Sequence, residues 1–77
     1  MTFPLILKLI LKAGDTLVDV GANEGHISLL GSHLVGTPGK VIAFEPNPVP
    51  RAIFQTVIDR NHVKNITLVP AGTWGFQ

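Results

Sequence analysis

Two carboxylates and one glycine-flanked turn are the residues of this chain whose types and spacing best suit ligand chemistry. Asp19 lies in a short apolar run, Leu17-Val18-Asp19-Val20, which breaks into Gly21-Ala22-Asn23-Glu24-Gly25. Helix-compatible sequence follows at once. A strand that passes through such a turn into a helix brings backbone N–H groups and a helix N-terminus to one point. Glycine in the turn lets a ligand lie against the backbone, because no side chain blocks it. Glu45 stands twenty positions after Gly25, at the end of a second apolar run, Val41-Ile42-Ala43-Phe44. An acidic residue in that place can accept both hydroxyl hydrogens of a ribose. The same charge repels a phosphate at the ribose 2′ position, which argues against NADP.

The glycine pattern narrows the ligand class. A dinucleotide fingerprint, G-x-G-x-x-G, counted from Gly21 requires glycine at positions 23 and 26, where Asn23 and His26 stand. No Gly-Lys-Ser/Thr opens the helix, so the phosphate-cradling Walker pattern fails as well. What remains is an adenosine ligand without a pyrophosphate. Each residue also has a purely structural reading. Asp19 can brace the turn, Gly21 and Gly25 can be turn glycines, Asn23 tolerates left-handed φ, and Glu45 can be a solvated strand-end charge.

The elements that must position these groups follow from apolar periodicity. Thr16–Val20 reads as a strand apolar on both faces, as in a parallel sheet covered by helices. Residues 24–35 read as a helix with Ile27, Leu30 and Leu34 on the buried stripe and Glu24, Ser28 and Ser32 off it. Gly31 inside that helix points to close packing, since it costs up to ~1 kcal/mol relative to alanine. Lys40–Phe44 is a second strand. The prolines of Pro46-Asn47-Pro48-Val49-Pro50 cannot continue a ladder, so they form a rigid loop that delivers Pro50 to a helix's first turn. Arg51–Asn61 reads as that helix, with Ile53, Phe54, Val57 and Ile58 inward. Asn65–Val69 is a third strand.

Upstream, Phe3–Leu11 is an apolar run interrupted by Lys8, far short of the ~20 residues that cross a bilayer. It lacks a basic leader and a cleavage site, so it reads as a buried or interfacial helix ended by Gly14, with no stable membrane insertion. The fold class is therefore α/β: the first half of a Rossmann-like doubly wound parallel sheet, helix-β-α-β-α-β, with strand order 3-2-1. Residues 1–14 form the N-terminal helix, 15–71 the core and 72–77 a tail in which Trp74 and Phe76 are loosely placed.

With 77 residues the chain makes at most one small domain. It is apolar (45% hydrophobic, 14% charged), and its six Lys and Arg are scattered, with a net charge of +1. No basic run marks a nucleic-acid surface. The absence of cysteine excludes disulfides, Cys-based zinc sites and thiol nucleophiles, and His26, His33 and His62 show no metal-ligand spacing.

Three segments carry a resemblance: Val18-Asp19-Val20-Gly21-Ala22-Asn23-Glu24-Gly25, Gly39-Lys40-Val41-Ile42-Ala43-Phe44-Glu45-Pro46-Asn47-Pro48 and Asn65-Ile66-Thr67-Leu68-Val69. In order and spacing they resemble the class I S-adenosylmethionine-dependent methyltransferases, and most of all the FkbM group, over roughly residues 8–71. The D-x-G-A-N-x-G turn paired with F-E-P-x-P is the specific part. The resemblance implies that Gly21 and Gly25 let the methionine part of S-adenosyl-L-methionine approach the backbone, and that Ala22 between them belongs to the cofactor-binding turn. It implies Asp19 near the α-amino group and Asn23 at the carboxylate or shaping the turn. Glu45 would hold the ribose hydroxyls, and Pro46 and Asn47 would border the adenine.

The implied reaction is methyl transfer to a hydroxyl of a small molecule or sugar, in the cytoplasm. No residue present is assigned as catalytic, because the acceptor-binding groups of that fold come from strand four onward. His26 and His33 are poor stand-ins for a base. The match fades after Ala71. On this reading the chain is a truncated cofactor-binding half, inactive alone and prone to self-associate through the exposed edge of its first strand. The competing readings are a non-catalytic module, binding a nucleoside ligand or pairing strands with another chain, and, less favoured, half of a nucleotide-dependent oxidoreductase.

Overall fold

The computed structural model describes residue 8 and residues 10–71. The N-terminal helix assigned to 1–14 and the tail 72–77 fall largely or wholly outside these residues. In between, the chain runs β1 (Thr16–Val20), α1 (His26–Val35), β2 (Lys40–Phe44), α2 (Pro48–Arg60) and β3 (Ile66–Val69). All pairing is parallel. β1 pairs with β2 from Thr16↔Lys40 to Val20↔Phe44, and β2 with β3 from Val41↔Ile66 to Phe44↔Val69. The order β1-β2-β3 is the expected 3-2-1 counted from the opposite edge. The fold is the first half of a Rossmann-like sheet, with β2 central.

The core lies between the sheet and its helices. Ala22, Ala43, Phe54 and Ile58 form its centre, flanked by Leu29, Val63, Ile66 and Leu68. Because strands alternate their side chains, Val41 and Ala43 are fully buried under the helices while Ile42 and Phe44 face the other way. β1 departs from the expectation of burial on both faces. Val18 and Val20 are 54% and 51% exposed, and only Leu17 and Asp19 turn toward α1. Consecutive right-handed crossovers between strands advancing in one direction put both helices on the same side of the sheet, so among the described residues no helix covers the second face.

The buried face of α1 also differs from the hydrophobic stripe. Ser28, Gly31 and Val35 are its buried residues, whereas Ile27, Leu30 and Leu34 are half-buried. The reason is closeness. A side chain at Gly31 would run into the Leu17 methyl, so α1 sits on β1 through its smallest residues. That bears out the packing explanation for Gly31.

α2 starts three residues earlier than expected. Asn47 caps it, its Oδ1 accepting from the Val49 N–H at 3.1 Å, and Pro48 takes the N1 position. Proline suits that position, where its missing N–H is not needed. Ile53 is 45% exposed rather than inward, and Phe54 and Ile58 carry the buried face. Asn61 closes the helix, and His62 at φ 53° turns the chain toward β3.

Candidate functional site

The carboxyl ends of β1 and β2 meet where the sequence placed the ligand site. After Val20 the chain bends across the end of β2. The N–H groups of Gly21 and Ala22 both donate to the Phe44 carbonyl, at 2.9 and 3.0 Å, and Gly25 donates to Ala22. Asn23 sits at φ 56° and donates its own N–H to Glu45 Oε1 at 2.6 Å, while its side-chain amide donates to the Gly21 carbonyl. The turn is thus a closed, self-bonded loop. The N–H groups of Gly21, Ala22, Asn23 and Gly25 are committed within the protein. The N-terminus of α1 is different: it has neither a side-chain cap nor an acidic residue in its first turn.

Glu45 ties the two loops of the site together. Its Oε2 accepts from the Asn47 N–H at 2.9 Å while Oε1 holds Asn23, and the residue is only 4% exposed. A carboxylate has about four acceptor positions, so each oxygen keeps one after these bonds. Arg51 reinforces the second loop, its Nη1 donating to the carbonyls of Glu45 and Pro46 at 3.0 and 2.9 Å. Asn47, assigned to the adenine border, spends its side-chain oxygen on capping α2.

The two glycines of the turn have different reasons to be glycine. Gly25, at φ 93°, is buried, and a Cβ there would collide with the Phe54 ring; packing alone requires it. Gly21, at φ 71°, has open space where a Cβ would stand. No packing contact therefore requires glycine there, only the positive φ.

Asp19 is half-buried behind the turn. Its Oδ2 accepts from Ser28 Oγ at 2.6 Å, across nine residues of chain. Oδ1 has no hydrogen-bond partner among the described residues, and no buried side-chain oxygen or nitrogen there goes unpaired, so this oxygen is open to solvent. Ser28 carries no apolar signal and reads in the sequence as polar helix edge; only its placement on the face toward β1 reveals this contact.

Elsewhere the polar residues serve the scaffold. His26 is exposed and pairs with Glu24 at 3.3 Å. Asn65 donates its amide to the carbonyls of Ser32 and Gly36, at 3.0 and 2.9 Å, and accepts from the Ser32 hydroxyl. It thereby pins the end of α1 to the start of β3. A groove of about 690 Å³ lies beside it at the amino end of the sheet, away from the glycine turn. Among the described residues no cluster of His, Cys, Asp or Glu could hold a metal, and no helix is long and apolar enough to cross a membrane.

No protein-family model matches the chain, and no curated protein matches it. Solved structures do. A Clostridium thermocellum protein described as an rRNA methylase superposes with a TM-score of 0.86 at 25% identity, over 92% of this chain and 39% of that one. A SAM-dependent methyltransferase from Aquifex aeolicus gives 0.78 at 25% identity, over 90% and 38%. A Streptococcus mutans protein described as a methyltransferase, solved in complex with SAH, gives 0.78 at 21% identity, over 90% and 38%. All three are described as methylases or methyltransferases, the Aquifex protein as SAM-dependent. The chain spans about two fifths of the length of these three.

Proposed function

We propose that this chain is the cofactor-binding half of an S-adenosylmethionine-dependent methyltransferase of FkbM type. The observation that carries the reading is the pair of carboxylates on either side of Gly21. Asp19 offers one free oxygen, Glu45 keeps acceptor capacity at the end of the neighbouring strand, and the space over Gly21 is open. An ammonium, a ribose diol and a thioether chain between them are the groups this set fits. A dinucleotide is disfavoured, since Asn23 and His26 stand where its glycines belong and the turn's N–H groups are already bonded.

When bound, the cofactor supplies an electrophilic methyl group. The chain's own residues bind and orient. Asp19 takes the α-amino group, the uncapped first turn of α1 favours the carboxylate, and Glu45 accepts from the ribose hydroxyls with the lone pairs left by Asn23 and Asn47. Pro46 and the Asn47 backbone border the adenine. Holding the methyl donor in place supplies proximity, while activation of the acceptor falls to groups beyond those described here. The acceptor in this reading is a hydroxyl of a small molecule or sugar. The neighbours include proteins described as an rRNA methylase and a protein-L-isoaspartate O-methyltransferase, so the fold itself does not select the acceptor.

Calorimetric titration with S-adenosylhomocysteine against NAD tests the reading. Binding of the first, weakened at least tenfold in Glu45→Ala and in Gly21→Val, is the expected result. Tighter binding of NAD, or binding indifferent to both substitutions, overturns it. Gly21→Val also strains the backbone, so the unfolding midpoint of each variant is measured alongside.

A further inference from the structure

We propose that Ser28 is a positioning residue of this site: its hydroxyl fixes the Asp19 carboxylate so that the free Oδ1 is presented to the ammonium group of the bound amino-acid moiety. The inference rests on the cofactor reading above. Ser28 is completely buried, on the face of α1 that packs against β1. A buried hydroxyl is costly unless it is hydrogen-bonded, and alanine would fill the same space, so packing does not call for the oxygen. What the oxygen does is donate to Asp19 Oδ2 at 2.6 Å, the short distance typical of an O–H group meeting a carboxylate.

Serine on a helix commonly returns its hydroxyl to a carbonyl one turn back. Here it reaches to the neighbouring strand instead. The consequence is asymmetric. One carboxylate oxygen is anchored inside the protein and the other, without a partner among the described residues, stays accessible at the turn. An unanchored aspartate would divide its time among rotamers, whereas this one is held in a single orientation before any ligand arrives.

Two ligands separate positioning from mere structure. S-adenosylhomocysteine carries the ammonium group, and 5′-methylthioadenosine has the same adenosine and thioether without it. Ser28→Ala is expected to weaken S-adenosylhomocysteine about tenfold and to leave methylthioadenosine within about twofold. Ser28→Thr keeps the hydroxyl and should recover part of the S-adenosylhomocysteine affinity that Ser28→Ala loses, and its unfolding midpoint is measured alongside because the added methyl enters a closely packed contact. In an Asp19→Ala background Ser28→Ala should have no further effect, because the serine acts only through the aspartate. Equal weakening of both ligands by Ser28→Ala, or no change in either, overturns the proposal while the cofactor reading stands. Glu45→Ala tests that reading separately, since it must weaken both ligands, each of which carries the ribose. If the parent chain binds neither ligand, the reading fails and the role of Ser28 falls with it.

Discussion

At the scale of single residues, the turn separates glycines that serve packing from glycines that leave room. Gly25 and Gly21 both lie at positive φ, but only Gly25 faces a side chain, the Phe54 ring. Gly25→Ala therefore combines left-handed strain with a clash in the core and is expected to lower stability by about 2–4 kcal/mol. Gly21→Ala meets only the strain, about 1–2 kcal/mol. Urea unfolding of the two variants checks the order, and an equal or reversed effect would contradict the packing role of Gly25. Ligand affinity should behave differently. Gly21→Ala puts a methyl group into the space a ligand needs, so its loss of S-adenosylhomocysteine binding should exceed what its small loss of stability explains.

The elements show which parts of the fold were legible in the sequence. β1 and β2 have the expected bounds, because each is an apolar run with turn signals on both sides. The buried face of α1 was not legible. Hydropathy points to Ile27, Leu30 and Leu34, but a helix lying close on a strand needs small residues in the contact, and Ser28 and Gly31 carry no apolar signal. For the same reason the partner of Asp19 stayed hidden until the helix was placed. The start of α2 was misread because Pro46-Asn47-Pro48 looks like loop, although Asn followed by Pro is also a cap and a first helical residue. Of the proposed site residues, Asp19 and Gly21 stand at the end of β1 and Glu45 follows β2, whereas Gly25 and the Asn47 side chain have structural work. Asn47→Ala should cost about 1 kcal/mol through the lost cap. Asn65→Ala removes three bonds that join α1 to β3 and should cost more, about 2 kcal/mol. Thermal unfolding that ranks Asn47→Ala as the more damaging would contradict this account of how α1 is held.

For the molecule as a whole, the unbalanced feature is the sheet. Both helices cover one face, and on the other Val18 and Val20 are half exposed and lie in register with Ile42 and Phe44. β1 is also the edge strand, so its outer row of backbone groups has no ladder partner among the described residues. An apolar edge strand with an apolar face is a template for another chain, which well-protected edges avoid by carrying charge or proline. β1 has neither at Val18 or Val20, and its Asp19 points to the helix side. Isolated as these 77 residues, the chain is therefore expected to self-associate through β1 in a concentration-dependent way. Sedimentation velocity over a range of concentrations reads this directly. Lysine at both positions, Val18→Lys with Val20→Lys, should shift the chain to monomer, because pairing would then desolvate two like charges on each copy. Val49→Lys is the control: Val49 is more exposed, at 69%, but sits on α2 away from the edge, and its substitution should change nothing. A parent chain that stays monomeric throughout, or a Val49→Lys variant that dissociates as readily as the β1 variant, would remove the edge as the cause. The proposed cofactor site lies at the end of this same strand, so the β1 variant should also retain S-adenosylhomocysteine binding if the open face and the site are independent features of the half-sheet.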